Sequence, residues 1–266
     1  MEEAAKQMLD LKEGDISLLN EVVKPVTMIQ VDKLPSGFKG YPEGTKISFK
    51  PINLEELEAL NSDEVDASRA IAMLLNAIHT TTIPSYDLYY WDVMYIGIQR
   101  KLLAFGETKG TLYNRCPKCG NLVSKTFNYS EIEFKEITAP NLPMKMEVMG
   151  KKLEFKPLSI KDFLQIDVEE GELGVFARMI QNLDYEEALP LVKAATGVDI
   201  KKLKFMDKQL HYGMKPFNVI CENQIQVDNK MEECAHNVVL EVRSPFEVVF
   251  PENELDLDNE FEVQYG

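Results

Sequence analysis

Apolar and polar positions change period several times along this chain, and each change marks a predicted element. In KISFKPINLEELEAL (residues 46–60), Ile47 and Phe49 alternate with polar neighbours, which is the period of a half-buried strand. Pro51 stops the strand. Asn53 then stands three residues before Glu56, the spacing of a capping box that opens a helix. The same succession returns in KLEFKPLSIKDFLQI (152–166): Leu153 and Phe155 alternate, Pro157 breaks, and Ser159 precedes Asp162 by three. Lys46, Phe49, Lys50 and Pro51 recur as Lys152, Phe155, Lys156 and Pro157. A strand, a breaker, a cap and an acid recurring together at one offset point to an internal duplication.

Helical spacing of apolar residues predicts a helix in DASRAIAMLLNAIHTT (66–81) and another from Tyr86 to about Phe105. The second carries Tyr86, Tyr89, Tyr90, Trp91, Met94, Tyr95 and Ile98. It reads either as a helix packed in the core or as one that docks on another protein. In the second half, ELGVFARMIQNL, EEALPLVKAATG and KKLKFMDKQLHYG are helical candidates, with Pro190 a break. LVSKTFNYSEIEFKEI (122–137) and NVVLEVRSPFEVVFP (237–251) alternate as strands do. The expected fold is therefore α+β: two related halves of strand, helices and short antiparallel strands. The first half runs over 41–138 and the divergent second over 150–251.

Residues 1–40 read as an N-terminal arm with helical stretches, closed by the turn-rich KLPSGFKGYPEGTK. PENELDLDNEFEVQYG carries six acidic residues and no basic one, so 252–266 reads as an acidic tail. Its Leu255, Leu257, Phe261 and Val263 are more apolar than a solvating tail requires. Both arms are expected to order on partners.

Composition narrows the function classes. The formal net charge is −15, unsuited to a phosphate backbone, so nucleic acid is not an expected partner. No apolar run reaches the ~18 residues of a membrane span, and the charged opening MEEAAKQMLDLKEGD lacks the pattern of a secretory signal. A reducing cytoplasm is the expected compartment, where a close cysteine pair is more often a metal or redox site than a disulfide.

RCPKCG (115–120) supplies such a pair. Cys116 and Cys119 offer two of the four ligands that a tetrahedral zinc takes. The repeat places the other two. Cys116 advanced by the offset falls within one residue of Cys221; LYNRC precedes one and FNVIC the other. Cys119, followed by Gly-Asn-Leu-Val, matches Cys234, followed by Ala-His-Asn-Val-Val, with an inserted loop, ENQIQVDNKMEE, between the second pair. The predicted site is Cys116, Cys119, Cys221 and Cys234 around a structural zinc that joins the halves in the manner of a zinc ribbon. His236 is an alternative ligand in place of Cys221. Two competing readings are that Cys221 and Cys234 are plain buried cysteines, or that Cys116–Cys119 is a redox pair. The strand-like residues after Cys119 do not suit the latter.

No P-loop, GxGxxG, HExxH or GxSxG is present, and three histidines leave little for imidazole chemistry. His79 lies in an apolar helical stretch and His211 near a helix end, both structural readings. The chain is expected not to be an enzyme.

The order YPEGTKISFKP, then IPSYDLYYWDVMYIGIQRKLLAFGET, then TLYNRCPKCG and a strand resembles the baseplate hub proteins of T-even-type contractile-tailed bacteriophages. Asp87, Leu88, Asp92, Tyr95 and Arg100 occupy that family's helix pattern, and Cys116–Gly120 its CPxCG turn. The resemblance covers residues 41–137 well and the second half as a divergent copy. It implies a structural or assembly role in the tail baseplate and contacts with other baseplate proteins. It further implies a place in the virion after assembly in the host cytoplasm. A cellular zinc-ribbon adaptor recruiting protein partners is the alternative.

Overall fold

The computed structural model describes residues 27–53, 56, 59, 67–106, 109–166, 169–227 and 230–240. The predicted elements within 1–26 and 241–266 lie outside these, as does most of the helix expected after Asn53.

Among the described residues the fold is α+β, with six helices and short, wholly antiparallel sheets. The first unit is a three-stranded sheet. β1 (Ile29–Gln30) pairs with β2 (Ile47–Phe49), and β2 with β3 (Ile78–Thr80). Helix α1 (Ala67–Ala77) packs on it through Ala70, Ile71, Leu74 and Ala77, the spacing of one helix face. The strand–breaker–cap reading holds here in local form: the Glu56 N–H donates to Asn53 Oδ1 at 2.7 Å.

α2 (Tyr90–Phe105) is the central helix. Tyr89 packs in one apolar cluster and Tyr90 in the other, so adjacent aromatic residues tie the two cores. Trp91 touches both. Its ring lies where a side chain on Gly213 would have to go, 2.4 Å from a notional Cβ, so that position takes glycine. Tyr86 alone of the tyrosine series is well exposed, at 48%. The aromatic helix is thus mainly core.

After α2 come β4 (Lys109–Arg115) and β5 (Leu122–Asn128), which pair along their full length. β6 (Phe134–Lys135) follows, then the hairpin of β7 (Met144–Val148) and β8 (Lys151–Phe155). Beyond it lie α3 (Ile160–Leu164), α4 (Gly171–Met179), α5 (Tyr185–Ala194) and α6 (Val198–Leu210). β9 (Gly213–Met214) returns to pair with β6, and β10 (Phe217–Ile220) pairs with β13 (Asn237–Leu240). Between those two strands stands a separate hairpin, β11 (Gln224–Val227) with β12 (Lys230–Glu233).

The two KxxFKP segments make the same backbone connection. Phe49 pairs with Ile78, and the Lys50 N–H donates to Ala77, the last residue of α1, at 2.9 Å. Phe155 bridges to Ile180, and the Lys156 N–H donates to Met179, the last residue of α4, at 2.9 Å. Both phenylalanines are buried. Ser159 and Asp162 form a complete capping box on α3.

Several expectations need correction. The last third of the stretch read as an arm over 1–40 contributes to a core. Val31 and Leu34 are core residues, Ser36 is fully buried, and its N–H donates to Asp92 Oδ1 at 3.0 Å. A buried carboxylate needs such donors, and the turn-rich loop supplies them. The helix expected over 66–81 stops at Ala77; the β-branched Ile78 and Thr80 extend instead, and exposed His79 lies on β3. The helix expected from Tyr86 begins at Tyr90, because Leu88–Tyr89 is held extended against Leu158–Ile160: Tyr90 N–H donates to Leu158 O and Ile160 N–H to Leu88 O, both 2.9 Å. Pro190 does not break its helix but sits inside α5. The carbonyl it leaves unbonded, that of Glu186, is in the helix's first turn, and Glu186 is exposed. The inserted loop is largely the β11–β12 hairpin.

Candidate metal centre

The cysteines stand where strands turn. β4 ends at Arg115, whose partner across the ribbon is Leu122. Between them Cys116–Asn121 makes a tight knuckle. The Cys116 N–H donates to Asn121 O and the Gly120 N–H to Cys116 O, each at 2.8 Å. Gly120 takes φ +74°, a left-handed conformation that glycine adopts without a Cβ penalty. The turn leaves the sulfurs of Cys116 and Cys119 on one side.

The second knuckle repeats these bonds with other residues. β10 ends at Ile220, opposite Asn237. The Cys221 N–H donates to His236 O at 2.9 Å and the Ala235 N–H to Cys221 O at 3.0 Å. Ala235 takes φ +48°, the role Gly120 has in the first. The β11–β12 hairpin is spliced between the two cysteines, and a bond from the Cys234 N–H to Asn223 O at 2.8 Å closes its base. Splicing a closed hairpin leaves the knuckle's ends where they were.

The ribbons pack face to face. Leu112, Val123 and Phe127 meet Val238 and Leu240, and the Phe127 and Phe217 rings stack 5.1 Å apart. Lys118 Nζ reaches Cys234 O at 2.9 Å across the junction. The four Sγ atoms lie within 4.8 Å of one another. Both short sulfur pairs cross between the knuckles, Cys116–Cys234 at 3.7 Å and Cys119–Cys221 at 3.6 Å. All four cysteines are free, and these separations are far beyond the ~2.05 Å of a disulfide. They match a tetrahedron instead: sulfurs each ~2.3 Å from one ion stand about 3.8 Å apart. Cys116, Cys221 and Cys234 are buried and Cys119 half-buried. His236 is not in the group; the contribution seen is its backbone carbonyl.

The electrostatics of the cluster suit a cation. The Asn121 N–H favours the Cys119 thiolate and, with the neighbouring thiols and Asn223, outweighs burial to hold that group at about 6. Cys221 behaves oppositely. The Asn223 N–H favours its thiolate, but burial and the surrounding thiols push it up to about 12. Burial raises Cys234 as well. The cluster accepts one negative charge readily and resists more, because like charges this close repel. A divalent ion at the centre would remove that repulsion and let every thiol ionise.

Two further residues of the expected helix pattern are fixed by burial rather than placed at the surface. Asp92 is fully buried and accepts from Ser36 N–H and, at 2.7 Å, from the Tyr41 hydroxyl. Burial raises its carboxyl to about 6 against the pull of those donors. Arg100, 3% exposed, grips Glu56 with both guanidinium nitrogens at 2.9 and 2.7 Å and donates from Nε to Lys50 O at 2.7 Å. Both were visible as sequence motifs, but not as buried polar anchors. His211 is the C-cap of α6.

No curated protein and no solved structure matches the chain. A sequence profile of one family, described as T4 bacteriophage base plate protein, matches residues 26–234, a span that contains β1 through β12 and all four cysteines. With most of its length matched, the chain belongs to the T4 bacteriophage base plate protein family.

Proposed function

We propose that this protein is a structural or assembly component of the hub of a contractile tail baseplate, held together internally by one zinc ion and bound to other baseplate proteins. The family match supports the baseplate setting. The observation that carries the zinc reading is the crossed pairing of sulfurs, at spacings a tetrahedral ion requires and with each pair drawn from both knuckles. Cys116, Cys119, Cys221 and Cys234 are the proposed ligands, in preference to a set in which His236 replaces Cys221. Such a shell is closed, with no position for water or substrate, so the metal's role is structural.

On this reading the halves 41–138 and 150–251 are copies of one unit. The matching bonds at Lys50 and Lys156, and at Cys116 and Cys221, support it. The zinc staples the copies, and its binding free energy becomes folding free energy. The reading assigns the chain no catalysis. It assigns the chain to the virion tail, after assembly in the host cytoplasm.

Native size fractionation of infected cells, with zinc measured in each fraction, tests this. The expected result is co-migration with a particle far larger than a 30.4 kDa chain, with one zinc per chain. A small free species absent from every large particle would overturn the baseplate role and favour an adaptor.

A further inference from the structure

The two ribbons around the cysteines carry opposite charge. Residues 109–130 hold Lys109, Arg115, Lys118 and Lys125 and no acidic residue, in a chain of net charge −15. Residues 217–240 hold Glu222, Asp228, Glu232 and Glu233 against Lys230. Among the described residues, Lys109, Arg115, Glu222, Glu232 and Glu233 have no ion-pair partner.

Register sorts the faces. Residues directly opposite in an antiparallel ribbon share a face, and successive residues alternate. In the first ribbon Leu112, Val123 and Phe127 face the second ribbon. Lys109, Tyr113 and Arg115 on β4 and Leu122 on β5 therefore share the outer face, where Tyr113 is 62% and Leu122 55% exposed. In the second ribbon Val238 and Leu240 face inward, so Ile220 and Val239 share its outer face, 55% and 40% exposed. Glu222 lies two residues beyond Ile220, and the β11–β12 hairpin adds Met231, 65% exposed, next to Glu232 and Glu233. Exposed apolar side chains grouped with charge of one sign mark a docking face. The ribbons pack inner face to inner face, so one such face, basic, and the other, acidic, look away from each other.

We infer that copies of this chain associate head to tail, the outer face of the β4–β5 ribbon of one copy docking on the outer face of β10–β13 and the β11–β12 hairpin of the next. Charge complementarity selects the second copy. The acidic, apolar surface that suits Tyr113, Leu122 and Arg115 is present on this chain but turned away from them, so the two meet only between copies. The net charge of −15 opposes most other pairings of like surfaces. α6 also exposes Lys201, Lys204 and Lys208, but Asp199 and Asp207 interrupt them. Joining unlike faces leaves each pair of copies with one basic and one acidic face free, so the contact repeats and closes into a ring where the rotation per step allows. A seven-residue ribbon is roughly 23 Å long, which places the contact among weak interfaces of less than about 1,200 Å². It forms at high local concentration, as when copies are gathered in one assembly.

Sedimentation of the metal-loaded full chain over a range of concentrations tests this, with two variants at exposed strand positions, Tyr113→Thr with Leu122→Thr and Ile220→Thr with Val239→Thr. Threonine keeps the strand preference. The weight-average mass of the unaltered chain should rise with concentration past twice 30.4 kDa, less so with added salt. Each variant alone should associate at least about tenfold more weakly. An equal mixture of the two retains one native basic and one native acidic face, so its mass should rise toward twice that of the chain and stop. An unaltered chain that stays monomeric throughout would overturn the proposal. So would association that survives in both variants, which would place it on another face such as α6, or loss in one variant alone, which would mean that a face meets its own like. All four cysteines remain in both variants, and their unchanged zinc content keeps this result separate from the fate of the metal reading.

Discussion

The two knuckles bring their cysteines to the same geometry from different sequences. In the first, two residues separate Cys116 from Cys119; in the second, a whole hairpin separates Cys221 from Cys234. Both use the same two backbone bonds and a left-handed residue directly after the second cysteine. The four cysteines are therefore brought together by how the strands close, and spacing along the chain is a poor guide to it. The halves also differ in how they anchor their helices. Among the described residues, buried charge sits on α2, as Asp92, Arg100 and Lys101, whereas the chain after β8 buries the small polar Ser159 and no charged side chain.

The largest effects should come from breaking the knuckles' equivalence. Cys116→Ser and Cys221→Ser each remove one of the four proposed ligands. Both should abolish metal retention on gel filtration and lower Tm by similar amounts, more than any other substitution named here. A neutral Cys221→Ser would show that the knuckles are not equivalent.

Next is the contrast in anchoring charge. Arg100→Ala leaves Glu56 half-buried without its partner and should cost about 3–5 kcal/mol in denaturant unfolding. Lys156→Ala removes the 3.5 Å ion pair to Asp162 in the second half, which is partly exposed, and should cost no more than about 1 kcal/mol.

Asp92 gives a pH signature in the acid range. Its folded value of about 6 lies above the unfolded value near 3.9. Between those limits the folded chain binds the extra proton, so this group's contribution to stability falls as pH rises from about 4 to 6. The full swing is about 3 kcal/mol. Asp92→Asn keeps an acceptor for Ser36 N–H and should flatten the stability curve across that window while leaving its shape above pH 7 unchanged.

The smallest effect compares the left-handed residues. Gly120→Ala meets no neighbouring atom, so its cost of about 1–2 kcal/mol is that of the backbone conformation alone. Ala235→Gly relieves the same strain and is expected to change stability by less than about 1 kcal/mol, because glycine also loosens the unfolded chain.

Where local signals and tertiary demands agreed, the sequence was legible. Phe49 and Phe155 alternate, are followed by Pro51 and Pro157, and lie in strands as their pattern requires. The clustering of the four cysteines was legible from matching local context, because LYNRC and FNVIC precede the first cysteine of each knuckle even though a hairpin interrupts the second. What stayed hidden was set by partners far along the chain. His79 reads as helical by spacing, yet β2 offers Ser48 as a strand partner. Leu88–Tyr89 reads as the start of a helix, yet pairing with Leu158–Ile160 holds it extended. Ser36 looks like part of a loop ahead of the domain until Asp92, 56 residues away, needs its N–H.

The central claim is that four sulfurs, two from each knuckle, hold one ion. X-ray absorption at the zinc edge on the purified full chain tests it most directly. The expected result is one zinc per chain with four sulfurs at about 2.3 Å and no nitrogen ligand. Three sulfurs and one nitrogen, with the nitrogen lost in His236→Ala, would contradict the proposed ligand set, and a protein that binds no zinc would contradict the staple itself.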